Sequence, residues 1–135
     1  MPMKFKALAP VFLVEDVVRA AEHYHDRMGF EMTSYFGNPP EFTIVQRAEV
    51  GIALRRCCGV RGGSNRKYLD DAIDAYVWIE GINDFYRDLK ERGASVAGPP
   101  ALRVYGIREI EMRDADGYII CFGEFAASQS FSKNA

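Results

Sequence analysis

Residues 11–29 read Val11-Phe12-Leu13-Val14-Glu15-Asp16-Val17-Val18-Arg19-Ala20-Ala21-Glu22-His23-Tyr24-His25-Asp26-Arg27-Met28-Gly29. Four apolar residues form a strand. Asp16 stands where a side-chain oxygen can accept an unpaired N–H at the start of a helix. Val17, Ala20, Ala21, Tyr24 and Met28 recur at helical spacing, and Gly29 closes the helix where a left-handed residue is wanted. The same order returns further along the chain. Ala75 to Ile79 is a strand, Ile82, Phe85, Tyr86 and Leu89 form a second helical stripe, and Gly93 ends it. The offset is 62 from Tyr24 to Tyr86 and 64 from Gly29 to Gly93.

The segments that follow also correspond. Arg47-Ala48-Glu49-Val50-Gly51 precedes the apolar run Ile52-Ala53-Leu54, and Arg113-Asp114-Ala115-Asp116-Gly117 precedes Tyr118 to Phe122. Both read as hairpin turns between antiparallel strands. Each half is therefore a strand, a helix and about three further strands. The chain reads as one domain over 1–135, with a first module at 5–56, a flexible linker at 57–71, a second module at 72–125 and a loose tail at 126–135. The linker holds Arg55, Arg56, Arg61, Arg66 and Lys67 at or near it, with no acid before Asp70. That basic run is either an anion-binding loop or a solvated connection.

Composition excludes several classes of function. The chain has 135 residues, enough for a core without disulfide or metal staples. Net charge is 17 − 19 = −2, which provides no general attraction to nucleic acid or to an anionic membrane. The longest apolar runs, Val11–Val14 and Tyr118–Phe122, are far shorter than a membrane span of about 20 residues. Cys57, Cys58 and Cys121 are an odd set without metal-ligand spacing, as expected of reduced thiols in a cytoplasmic protein. There is no nucleophile elbow, phosphate-binding glycine loop or HExxH motif.

The layout resembles the vicinal oxygen chelate superfamily of glyoxalase I, extradiol dioxygenases and bleomycin-resistance proteins. The resemblance is carried by Pro10 to Val17, by Tyr24-His25-Asp26-Arg27-Met28-Gly29-Phe30, by Tyr105-Gly106-Ile107-Arg108-Glu109 and by Arg113 to Tyr118, where Ala115 replaces a proline of the usual turn. It implies an α+β fold of two βαβββ modules forming an open, cup-shaped mixed β-sheet with the helices outside, and commonly a homodimer. It also implies four metal-ligand positions, which fall on Ala9, Ala53, Asp74 and Cys121. Alanine offers no lone pair, and one Asp with one Cys suits neither a hard octahedral nor a zinc site. His23 and His25 lie two apart on a helix and do not share a face. They are expected on its exposed side. No metal and no cofactor are expected.

What remains is the lining of the cup. Strand alternation places Phe12, Val14, Val77 and Ile79 beneath the helices. Ala9, Val11, Leu13, Asp74, Tyr76 and Trp78 then face the other way. Tyr76 and Trp78 either bind a small molecule or fill the sheet. Arg103, Tyr105 and Arg108 could reach a polar group on a ligand held against those rings, or the arginines could satisfy Glu109 and Glu111. The expected ligand site is thus Asp74, Tyr76, Trp78, Arg103, Tyr105 and Arg108, with a planar or polar ligand. The leading expectation is a metal-free small-molecule-binding protein. The alternative is an enzyme of lyase, isomerase or dioxygenase type using Asp74, Glu109 or Glu111 as general base.

Overall fold

The computed structural model describes residues 2–57, 59 and 63–126. The tail expected at 126–135 lies outside them from residue 127 onward. The chain divides into two compact units, Met1–Arg61 and Gly62–Ala135. The first contains β1 (Val11–Val14), α1 (Val17–Met28), β2 (Glu31–Met32), β3 (Phe42–Arg47) and β4 (Val50–Arg56). The second contains a 3-10 turn (Asn65–Lys67), β5 (Ala75–Trp78), α2 (Ile82–Glu91), β6 (Ala101–Leu102), β7 (Ile107–Arg113) and β8 (Ile119–Phe125).

Each unit holds one open four-stranded sheet, in the orders β1-β4-β3-β2 and β5-β8-β7-β6. In each, the first strand runs parallel to the last and the other pairs are antiparallel. The fold is α+β, built from two similar βαβββ modules, as the repeated sequence order requires. No helix among the described residues is long and apolar enough to cross a membrane.

Local chemistry sets the helix ends. Asp16 is extended (φ −132°), and its Oδ1 accepts from Arg19 N at 3.0 Å, while Gly29 turns left-handed at φ 72°. Val17, Ala20, Ala21, Tyr24 and Met28 are all buried. The second helix has no such cap of its own. Gly81 occupies that position, and the carboxylate of Glu124 on β8 accepts from Gly81 N at 2.9 Å and Ile82 N at 3.2 Å. A distant carboxylate thus supplies the anion that a helix start favours. Helical spacing alone does not reveal that contact. Ile82, Phe85 and Leu89 bury the inner stripe as expected, and Tyr86 lies at its margin.

The unit boundary falls inside the expected linker, but residues from 63 onward are built into the second unit. Asp74 organises them. Its carboxylate accepts from Ser64 Oγ and Asn65 N, both at 2.6 Å, and from Ile119 N at 2.8 Å. An added Cβ on Gly63 would come within 2.2 Å of Tyr118 Oη, so the chain passes this ring only as glycine. Glycine and polar content marks turn-forming segments as well as linkers, and residues 63–71 include such a segment. The two histidines also differ from each other. His25 is exposed. His23 is half-buried with an unbonded, buried Nδ1, and burial, then Arg27, lowers its pKa.

Replacing Asp74 with alanine leaves the N–H groups of Asn65 and Ile119 without this acceptor. Urea denaturation should show a loss of about 2 kcal/mol or more. Unchanged stability would contradict the role given to Asp74.

Candidate functional site

Pairing register sorts the second sheet into two faces. Directly paired residues share a face, and neighbours along a strand alternate. Val77, Phe122 and Ile110 form one cross-strand row, and Phe122 meets Phe85 of α2 with ring centroids 4.7 Å apart. The opposite face carries the row Tyr76, Cys121 and Glu111, and beside it the row Trp78, Gly123 and Glu109. The face turned away from α2 therefore holds Tyr76, Trp78, Glu109 and Glu111, while Arg108 and Glu124 turn toward α2.

Glu109 is the centre of this face. It is only 7% exposed, and an ionised carboxylate at such a position needs donors. Tyr76 donates its hydroxyl to Oε2 in a short hydrogen bond. Tyr105 donates to Oε1 at 2.7 Å, and Arg103 Nε reaches the same oxygen at 3.4 Å. Both tyrosines come from the set chosen by sequence, and the residue they converge on is the carboxylate beside Arg108. Gly123 makes room for this arrangement, since a Cβ there would meet Tyr76 Oη at 2.3 Å.

An aromatic wall stands next to Glu109. Trp78 stacks on Phe125 with centroids 4.3 Å apart and planes within 1°. Tyr76 lies 4.7 Å from Trp78 at a 42° tilt. Trp78 is 37% exposed and Tyr105 56%, so the wall ends in accessible aromatic surface. Phe125 was not singled out by sequence. It sits two residues beyond Gly123, the register partner of Trp78, and only the strand pairing reveals that.

Two of the expected site residues belong elsewhere. Arg108 lies on the α2 side, where its Nη2 donates to Asn83 Oδ1 at 2.9 Å. The reason is the period of two: if Glu109 faces away from α2, its neighbour cannot. Asp74 is committed to the three donors described above. Glu111 is likewise engaged, in a two-pronged pair with Arg66 (3.3 and 3.2 Å). The three candidate bases weighed from the sequence are thus all occupied by donors.

The metal positions implied by the resemblance do not fit a metal. Ala9 and Ala53 have no donor atom, and Asp74 is taken. The Cys121 thiol is buried and pushed up to about 12, first by burial and then by the charges of Glu109 and Glu111, so it stays protonated. Among the described residues no three His, Cys, Asp or Glu side chains are grouped to hold a metal ion.

The equivalent face of the first unit is different in kind. Val11, Ala53 and Ile44 form the row matching Tyr76, Cys121 and Glu111, and Leu13 matches Trp78. Arg55, paired with both Leu13 and Phe42, is the charged side chain of the row that matches Trp78, Gly123 and Glu109, and that row has no tyrosine, tryptophan or carboxylate, so the candidate site is placed in the second unit.

Comparison with solved structures identifies the fold. A glyoxalase-related enzyme from Clostridium phytofermentans superposes with a TM-score of 0.71 at 18% identity, covering 91% of this chain and 97% of that one. A bleomycin-binding protein complexed with bleomycin gives 0.71 at 17% identity, covering 89% and 98%. A bleomycin resistance determinant encoded on the transposon Tn5 gives 0.72 at 17% identity, covering 91% and 100%. No protein-family model matches the chain, and no curated sequence matches it. The chain shares the fold of these glyoxalase-related and bleomycin-resistance structures.

Tyr105 has its pKa pushed up to about 12, by burial first and then by its hydrogen bond to Glu109. Tyr76 is raised further by the same two causes. A raised phenol pKa contributes stability that is complete below about pH 10, the unfolded value, and is lost as pH rises toward the folded one. Glu109→Gln removes the carboxylate. An alkaline absorbance titration should then show phenolate at lower pH than in the unmodified protein, and identical titrations would contradict the hub role of Glu109.

Proposed function

We propose that the chain is a metal-free small-molecule-binding protein that holds a planar ligand against Trp78 and Tyr76, on the face of the second unit turned away from α2, without transforming it. The observation that carries this reading is the stacked Trp78–Phe125 pair beside Tyr76, with part of Trp78 exposed next to a buried, donor-saturated carboxylate. Large flat side chains bearing few polar handles suit recognition of a flat molecule. Binding to Trp78 is consistent with the fold, which is shared with a bleomycin-binding protein solved with bleomycin.

The enzymatic alternative needs a general base within reach of a substrate and able to take a proton. Asp74, Glu109 and Glu111 already accept from three, three and two donor groups respectively. Their geometry supports a structural use of each carboxylate and so favours binding over turnover. The homodimer and cytoplasmic location implied by resemblance and composition are kept as parts of the same proposal.

Trp78 is the only tryptophan, so its emission reports on this face alone. The neutral planar probe 4-(2-naphthyl)butanamide should quench it saturably and be recovered unchanged. By calorimetry, Trp78→Ala should weaken binding by about 2 kcal/mol, the size of an aromatic anchor. Quenching that stays linear with probe concentration, or full affinity in the variant, would overturn the proposal.

A further inference from the structure

The face that carries Trp78 continues past Glu109 to a second group of side chains. Glu111 and Arg113 follow Glu109 along β7 at intervals of two, so all three point the same way. Next to β7 the segment around Val96 pairs with Met112, and Arg113 N donates to Ser95 O at 3.3 Å. Ser95, Ala97, Glu111, Arg113, Ile119 and Arg66 line a recess of about 130 Å³ at this end.

Its chemistry is that of an oxyanion site. Arg66 is fixed from two directions: Nε donates to Ala72 O at 2.9 Å, and one N–H from each of Nη1 and Nη2 goes to Glu111. A guanidinium has five N–H donors, so two remain. Glu111 neutralises Arg66, and Arg113 adds a positive charge with no partner among the described residues. The Ser95 hydroxyl adds a further donor. Asp74, which accepts from Ile119 N at the same end, offsets the remaining charge, so the corner offers oriented donors rather than net charge: a pre-positioned guanidinium and a second, adaptable one. Such a set recognises carboxylate or phosphate oxygens.

We infer that the Arg66–Ser95–Arg113 recess is an oxyanion subsite, and that the ligand of this face is an aromatic acid with its ring at Trp78 and its acid group at Arg113. The second half of that statement rests on the proposed function. Four residues of strand separate the Trp78–Gly123–Glu109 row from the Ile119–Arg113 row, about 13 Å at 3.3 Å per residue. The long arginine side chains shorten the span a ligand must bridge. The basic run noted in the sequence contributes here through Arg66 alone, while Arg113, at the end of β7, takes the place first expected for Arg108.

Two titrations test this. Inorganic phosphate and acetate are first added separately, followed by isothermal calorimetry on the full chain. At least one should bind saturably, phosphate if the subsite prefers a phosphoryl group and acetate if it prefers a carboxylate. Arg113→Gln should weaken that binding at least fivefold, whereas Arg27→Gln on α1 should leave it unchanged. Absence of saturable binding by either anion, or equal binding by the Arg113 variant, overturns the subsite. Next, 4-(2-naphthyl)butanoate is compared with its neutral amide by Trp78 quenching. The acid should bind at least tenfold tighter, and Arg113→Gln should erase the difference without changing the amide's affinity. Equal binding of acid and amide overturns the aromatic-acid assignment while leaving the proposed function standing. If neither compound quenches Trp78 saturably, the proposed function and the aromatic-acid assignment fall together, and the phosphate and acetate titrations alone decide the oxyanion subsite.

Discussion

A buried carboxylate must be paired, and in this protein that carboxylate is Glu109. Removing an ionised group from water without donors costs several kcal/mol, so a side chain only 7% exposed commits its neighbours. Tyr76 is drawn across Gly123 from β5, two strands away in the sheet order. The turn before β7 is folded so that Arg103 and Tyr105 both reach the same oxygen. Gly106 closes that turn at φ 85°, and its N–H donates to Arg103 O at 3.0 Å. One buried carboxylate therefore positions Tyr76, at the edge of the aromatic wall, together with Arg103 and the half-exposed Tyr105.

The duplication sharpens the point. Both units use the same strand order, the same parallel and antiparallel pairs and one helix on one face. Where the second unit has Tyr76, Trp78, Cys121 and Glu111, the first has Val11, Leu13, Ala53 and Ile44. The scaffold is thus separable from the chemistry placed on it, and the shared fold with glyoxalase-related and bleomycin-resistance structures speaks to the scaffold. The function proposed for this chain rests on the second unit's own side chains.

Much of the scaffold was legible in the amino-acid sequence because it obeys short-range rules. Asp16 caps, Gly29 turns left-handed, and Phe12 and Val14 alternate inward with Val11 and Leu13 outward, all as spacing predicts. Of the residues picked from the sequence, Tyr76, Arg103 and Tyr105 reach Glu109, and Trp78 packs against Tyr76. What spacing could not supply is pairing between strands. Phe125 joins the wall, Glu124 caps α2 and Arg108 turns to Asn83 only because of the β5–β8 and β7–β8 registers. Asp74 sits at a position that alternation assigns to the ligand face, yet three hydrogen bonds consume it, two from Ser64 and Asn65 just before it and one from Ile119, 45 residues after it.

The most direct test of the account is where a planar ligand lands. Backbone chemical-shift mapping with saturating 4-(2-naphthyl)butanamide should move Tyr76, Trp78, Tyr105, Glu109, Gly123 and Phe125, together with the Trp78 indole N–H. Shifts centred instead on Val11, Leu13, Ile44 and Ala53, the matching positions of the first unit, would contradict it.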